Sequence, residues 1–166
     1  MANKLDQRVE HLRTGLASLD VNTRMDTFDA VCKTLEVLQK LRLSLNLYGW
    51  YASCEADILL TTGNTKWRQT DIIELMDSCN PDAAKLDIEE KFEVVAPMIF
   101  DAFRPLLKMG AEDESVWIRR YAAIHADLLD DDTIINLAQD DLKVQKHLLR
   151  NQALRHYVAL ATGDRS

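Results

Sequence analysis

The segment from Leu41 to Leu60 carries apolar residues in every direction around a helix, whereas the other segments alternate apolar and polar faces. A helix that is apolar all round belongs in a protein interior or in a membrane. Striped segments are typical of helices packed around such an element. The pattern therefore predicts an all-α, single-domain bundle of five to seven helices around one central apolar helix. The predicted domain covers residues 1–166, with a short disordered tail at 163–166.

Two other structures fit parts of this central segment. Residues 41–47 alternate strictly between apolar and polar, as a half-buried strand does, but leucine and the flanking residues favour helix. The segment also has the length of a membrane span, about 20 residues. Arg42, Glu55 and Asp57 near its ends would each cost about 2.5 to 3.5 kcal/mol at a bilayer centre. We therefore expect a helix within a protein and no membrane insertion.

Apolar spacings of three and four predict two helices in the first third of the chain. The first extends from Asn3 to Leu19. The second begins near Asn22 or Thr23 and continues to Leu60, with Gly63 suited to the left-handed position past its end. The seam of the second helix comprises Phe28, Val31, Leu35, Leu38, Leu45, Gly49, Ala52, Ala56 and Leu59. Gly49 is the expected kink.

The middle of the chain predicts two more helices. The shorter one covers Lys66 to Cys79, and its inward residues are Trp67, Ile72, Leu75 and Met76. Asn80-Pro81-Asp82 then opens a longer helix, because a capping side chain precedes a proline that needs no amide donor. The inward stripe of that helix is Ile88, Phe92, Val95, Ile99, Phe103 and Leu106. Pro97 and Pro105 predict kinks or a break at Pro105, and Gly110 ends the helix.

The last third of the chain predicts a fifth and a sixth helix. Glu112-Asp113-Glu114 opens the fifth, whose inward face holds Trp117, Tyr121, Ile124 and Leu128. Asp130 to Asp132, followed by Thr133, cap a sixth helix from Asp132 to Ala161. Acids precede bases along this helix, which is the order that complements the helix dipole.

Composition and charge narrow the functional class. The 166 residues suit one soluble domain, and the net charge of −7 opposes nonspecific binding to nucleic acid or anionic lipid. The first residues are polar and charged, so they predict neither a secretory signal nor a membrane anchor. Cys32, Cys54 and Cys79 are odd in number and lie in apolar segments, as buried thiols of a reducing cytosol do. The sequence predicts a cytoplasmic protein.

The common catalytic and metal-binding patterns do not occur in the sequence. None of His11, His125, His147 and His156 has an Asp, Glu, Cys or His three or four positions away, which a bundle metal site needs. No Cys pair has zinc-ligand spacing, and every Gly stands alone, so no phosphate-binding loop is predicted. The sequence therefore predicts no catalytic residue, no metal ligand and no cofactor.

Two sets of residues are candidates for binding. The first is a possible interaction surface of aromatic residues, for which core packing is the alternative: Tyr48, Trp50, Tyr51, Trp67 and Trp117. The second is the pair Glu55 and Asp57, which would be useful acids or bases if they projected into a pocket. The alternative for this pair is that both reach water or an arginine such as Arg42.

A third candidate is a basic face on the last helix. It comprises Lys143, Lys146, His147, Arg150 and Arg155. Such a face could contact phosphates, but a solvated surface is the default explanation. Asp140 and Asp141 interrupt it, the chain is acidic overall, and no aromatic residue is interleaved with the bases. These features argue against nucleic acid as the partner.

These patterns together predict a non-enzymatic intracellular protein that acts through helix-mediated association. It would do so as a homo-oligomer or as an accessory subunit of a larger complex. One alternative is a bundle enzyme or small-ligand binder with an internal pocket near Glu55 and Asp57. The other is a nucleic-acid-binding regulator that uses the basic C-terminal helix.

Overall fold

A computed structural model describes residues 4–48 and 59–149, and these residues form seven α-helices with one two-stranded hairpin. The predicted all-α bundle of five to seven helices is confirmed. The helices are α1 (Lys4–Leu16), α2 (Val21–Tyr48), α3 (Gln69–Cys79), α4 (Ile88–Ala111), α5 (Val116–Ile124), α6 (Asp131–Ala138) and α7 (Leu142–Leu149). The strands are β1 (Leu59–Thr62) and β2 (Thr65–Arg68), and 3-10 turns cover Pro81–Ala83 and Ala126–Leu128. Among the helices of these two ranges, none combines the length and apolarity that a bilayer crossing requires.

The chain divides into two compact units. Unit 1 comprises Met1–Leu12 and Lys33–Phe103, and unit 2 comprises Arg13–Cys32 and Arg104–Ser166. The ranges of α1, α2 and α4 each contribute residues to both units. The single-domain organisation stays a prediction, as does the tail at 163–166, which lies outside the described residues.

The start of α2 is fixed by a capping aspartate. Asp20 accepts hydrogen bonds from the Thr23 amide at 3.1 Å and from the Thr23 hydroxyl at 2.7 Å. These bonds lower the pKa of Asp20, because they favour its charged form. The first helix ends at Leu16 rather than at Leu19, which is fully exposed.

The central segment is helical where the structure describes it. Leu43 lies in α2, so helix is confirmed over the strand alternative. Only one face of this part is buried, however: Leu41 and Leu45 are buried, whereas Arg42 and Leu43 are exposed. Residues 49–58 lie outside the described residues, and so do the predicted kink at Gly49 and the positions of Ala52 and Ala56.

The predictions of a helix that continues to Leu60 and of another that begins at Lys66 are wrong, because β1 and β2 form a hairpin over these residues. Strands β1 and β2 pair antiparallel with Leu60 opposite Trp67, and Gly63 provides the left-handed conformation (φ 56°) of the turn. The Lys40 ammonium donates to the carbonyl of Thr61. Threonines on both sides of Gly63-Asn64 are a hairpin signal, although the apolar run before them favours helix.

Helix α4 confirms the predicted stripe but not the predicted ends. All six residues of the stripe, Ile88, Phe92, Val95, Ile99, Phe103 and Leu106, are buried. Asn80 caps only the short turn Pro81–Ala83, and the helix itself begins at Ile88, where the Glu90 amide donates to Asp87 at 2.9 Å.

The break predicted at Pro105 is wrong, because α4 continues through it to Ala111. A proline inside a helix costs about 3 kcal/mol. Phe103, Leu106 and Leu107 around it are fully buried, and each contributes about 1.5 to 3 kcal/mol, so burial outweighs the proline. Gly110 does not end the helix. It lies against the Phe28 ring, which a Cβ at this position would overlap.

Unit 2 differs from the prediction in its last three helices. On α5 the buried residues are Ile118, Ala122 and Ala123, while Trp117 and Ile124 are about half exposed, so the predicted inward face is wrong. The prediction followed the large apolar residues. The structure buries the alanines instead, because small side chains let α7 pack closely against α5.

The predicted helix from Asp132 to Ala161 is wrong in its described part, which contains α6 and α7 separated by residues 139–141. Asp140 accepts from the Asp141 amide at 2.6 Å, and Asp141 accepts from the Lys143 amide at 2.9 Å. Aspartate side chains that bond the backbone in this way compete with the helix. The cap at Asp130 is confirmed, since its side chain accepts from the Thr133 amide at 2.9 Å.

Candidate functional site

A half-exposed tryptophan with two basic side chains against its ring lies on the surface of unit 2. The Trp117 side chain on α5 is 52% exposed. The Arg120 guanidinium carbon lies 5.4 Å from the centre of its ring system, and the Lys143 ammonium of α7 lies 4.9 Å from it. Both distances are within the range of a cation–π interaction. We call Trp117, Arg120 and Lys143 the Trp117 cluster.

Local sequence explains how these side chains meet. Trp117 and Arg120 are three residues apart, so they are neighbours on one side of α5. Helix α5 packs on α7, where Val144 and Leu148 are fully buried. Lys143 immediately precedes Val144, which places it at the exposed edge of the α5–α7 contact. The spacing of Trp117 and Arg120 is readable from sequence, but the approach of Lys143 depends on tertiary packing.

Arg120 is hydrogen-bonded to a buried histidine. His147 is 6% exposed, and its Nε2 accepts a hydrogen bond from Nε of Arg120. The predicted basic face is therefore wrong at His147, which lies inward with Val144 and Leu148 on α7. Lys143 and Lys146 are exposed as predicted, and Arg150 and Arg155 lie outside the described residues.

A second arginine ties α5 to the segment between α6 and α7. Arg119 forms two hydrogen bonds to the Asp140 carboxylate, at 2.8 and 3.1 Å. It also donates to the carbonyls of Asp113 and Glu114, at 3.0 and 2.9 Å. Burial tends to raise the pKa of Asp140, but hydrogen bonds from Arg119 and the Asp141 amide, with the Arg119 charge, lower it overall. The Asp140 hydrogen bond in turn raises the pKa of Arg119.

A third arginine anchors the loop that precedes α5. Arg24 of α2 pairs with Asp113 at 3.0 Å and donates to the carbonyls of Ser18 and Leu19. The side chains of Arg24 and Asp113 are only 13% and 7% exposed. Because the loop is bonded on both sides, the N-terminal turn of α5 that carries Trp117 has a fixed position within unit 2.

The structure describes two of the other aromatic residues predicted to form an interaction surface. Trp67 lies on β2 in unit 1, partly exposed, and its indole donates to Thr62 at 2.8 Å. Tyr48 is the last residue of α2. The remaining four, Trp50, Tyr51, Glu55 and Asp57, lie outside the described residues.

Cysteines and acids show no reactive grouping in the described part of the chain. Cys32 and Cys79 are buried and form no disulfide, as predicted, and Cys54 lies outside the described residues. Burial raises the pKa of the Cys79 thiol. Residues 4–48 and 59–149 contain no group of three or more His, Cys, Asp or Glu side chains placed to hold a metal ion.

Comparison with known proteins found no matching family model, no similar curated protein and no similar solved structure.

Proposed function

We propose that this chain is a non-enzymatic intracellular protein that works by helix-mediated association, and that the Trp117 cluster is the surface it uses. The observation that supports the proposal is the 52% exposure of an indole that has two cations within 5.4 Å of its centre. Tryptophan and arginine are the residues most enriched among those that dominate binding energy at interfaces.

The surroundings of the cluster support an interface of the same kind. On α7, Leu142 is 70% exposed and Lys146 is also exposed, so apolar and basic groups continue beyond Lys143. Exposed cation–π contacts contribute only about 0.5 to 1 kcal/mol. They stabilise the indole weakly, and a partner that covers it would bury its exposed half.

Charge favours an acidic partner surface. Arg120, Lys143 and Lys146 are basic groups on a chain whose net charge is −7. A second copy of the chain is the simplest acidic partner, with exposed acids such as Glu114 and Asp132. The result would be a homo-oligomer. If the acidic surface belongs to a different chain, the same cluster would make this protein an accessory subunit.

Sedimentation velocity over a range of protein concentrations tests the proposal. We expect the wild type to associate reversibly and Trp117→Ala to weaken association by at least about 30-fold, the equivalent of about 2 kcal/mol at a hot spot. Leu43→Ala is the matched control, because Leu43 is a 61% exposed apolar residue of unit 1. Equal association of both variants would refute the role of the cluster.

A charge reversal separates the two forms of the proposal. Lys143→Glu should weaken self-association, and the control Lys85→Glu, at an exposed position of unit 1, should not. A wild type that stays monomeric at all concentrations would refute the homo-oligomer. In that case, capture of an acidic protein by the wild type and not by Lys143→Glu would support the accessory role.

The nucleic-acid alternative has less support. In the described part of α7 only Lys143 and Lys146 are exposed bases, because His147 is buried. Few phosphate contacts give weak binding at physiological salt. The pocket alternative at Glu55 and Asp57 depends on residues outside the described ranges, and it stays a prediction.

A further inference from the structure

Unit 1 contains a pocket of about 640 Å³ lined by α2 and α4. Its volume is within the range of small-molecule sites, about 300 to 1,000 Å³. Phe92 and Leu45 supply apolar lining and are 7% and 9% exposed. Arg42, Asn46 and Glu93 at the same pocket are exposed, so a solute can reach it from solvent.

The two helices contribute different polar groups to the pocket. Arg42 and Asn46 are four residues apart on α2, and Glu89 and Glu93 are four residues apart on α4. Residues four apart share a face of a helix. One wall of the pocket therefore carries a guanidinium and an amide, and the other wall carries two carboxylates.

Two aromatic rings lie against the guanidinium of Arg42. Its central carbon lies 5.8 Å from the centre of the Phe92 ring and 5.5 Å from that of Phe100. With the residues of the described ranges it forms neither a hydrogen bond nor an ion pair. An anionic group in the pocket would therefore compete with no described acceptor for the N–H donors of Arg42.

Glu89 supplies the complementary observation. Its Oε1 atom is buried and has no hydrogen-bond donor among the described residues. A buried acceptor without a donor costs about 1 to 3 kcal/mol, and more when it is charged. Glu89 also lines the pocket, so an ammonium group bound to its carboxylate from the pocket side would offset this cost. Glu93, one turn further on, would add a second carboxylate.

We propose that this pocket binds a small zwitterion that carries a carboxylate, an ammonium group, a further cationic group and an apolar portion, about the size of a basic dipeptide. Arg42 and Asn46 bind the carboxylate, Glu89 and Glu93 bind the cationic groups, and Phe92 and Leu45 contact the apolar part. One arginine and two glutamates give the pocket one net negative charge, and a dipeptide such as Leu-Lys carries one net positive charge.

Isothermal titration calorimetry of the full-length chain with Leu-Lys tests the proposal. We expect saturable binding that Glu89→Gln weakens at least about tenfold, since it removes a charge-assisted hydrogen bond. Glu90→Gln is the matched control, because Glu90 is the exposed neighbour of Glu89 on α4 and does not line the pocket. Circular dichroism of each variant establishes that it is folded.

Two ligand analogues test the assignment of each wall. The C-terminal amide of Leu-Lys should bind the wild type about tenfold more weakly than Leu-Lys does. It should bind Arg42→Gln no more weakly than Leu-Lys does, because both changes remove the same pair. N-acetyl-Leu-Lys should bind the wild type more weakly than Leu-Lys does. The same loss of affinity should be smaller for Glu89→Gln. No saturable binding by any of the three dipeptides, or equal binding by Glu89→Gln and Glu90→Gln, would overturn the proposal.

Discussion

Arg119 in unit 2 and Arg42 in unit 1 are the same residue type in opposite roles. Arg119 is surrounded by acceptors, with two hydrogen bonds to Asp140 and two to main-chain carbonyls. Arg42 lies over two phenylalanine rings and forms no hydrogen bond with the described residues. The difference indicates which arginine stabilises the fold and which one is available to a ligand.

The same contrast separates the two candidate sites. In unit 2 the polar groups near α5 are paired, and an apolar ring is left at the surface, which favours a macromolecular partner. In unit 1 the apolar rings are covered, and polar groups with unfilled hydrogen-bonding capacity face a pocket, which favours a small polar ligand. Substitutions at matched positions can therefore test the comparison.

The largest effect is expected from replacing each arginine with methionine. Arg119→Met should lower the free energy of unfolding by about 3 kcal/mol, because it leaves Asp140 and two carbonyls without their donor. Arg42→Met should lower it by only about 1 kcal/mol, because among the described residues it loses two cation–π contacts and no hydrogen bond. Chemical denaturation measures both, and equal losses would contradict the comparison.

A smaller effect is expected from the cap of α7. Asp141→Ala should cost about 1 kcal/mol, because the Lys143 amide loses its acceptor and Lys143 is displaced from Trp117. Asp82→Ala is the control. The backbone amide of Asp82 donates to the Asn80 side chain, and no described amide donates to the Asp82 side chain, so this substitution removes no cap. Thermal denaturation measures the stability difference, and the fluorescence of Trp117 reports the displacement. An unchanged stability would show that Asp141 does not hold the helix end.

The smallest effect is the dependence of stability on acid. The pKa of Asp140 is lowered in the folded chain from its ordinary 3.8, so its contribution to stability is complete above that pH and is lost as the pH falls below it. The stability advantage of the wild type over Asp140→Asn should therefore shrink as the pH falls below about 4. Denaturation at a series of pH values measures this, and a constant or growing difference would contradict the assigned pairing.

Sequence patterns predicted those elements whose signals are local and agree with their packing. The stripe on α4 and the cap at Asp130 were both readable, because three- and four-residue spacing and capping chemistry depend on neighbours along the chain. The hairpin at Gly63 also has a local signal, but the apolar run before it indicates helix more strongly.

The remaining errors came from packing that the sequence does not display. The face of α5 was assigned from Trp117 and Ile124, whereas the buried residues are alanines, which have weak hydrophobic signals but permit close contact. The proximity of Trp117 to Lys143 requires two helices that are separate in sequence to meet. Neither the cluster nor the pocket around Arg42 could be read from the chain alone.

The indole N–H signals in a concentration series of ¹⁵N-labelled protein test the central claim most directly. The signal of Trp117, assigned with Trp117→Phe, should shift as the protein associates or as an acidic partner is added. The signal of Trp67, whose indole donates to Thr62, should stay constant. Association that leaves the Trp117 signal unchanged would contradict the proposal that this protein binds through the Trp117 cluster.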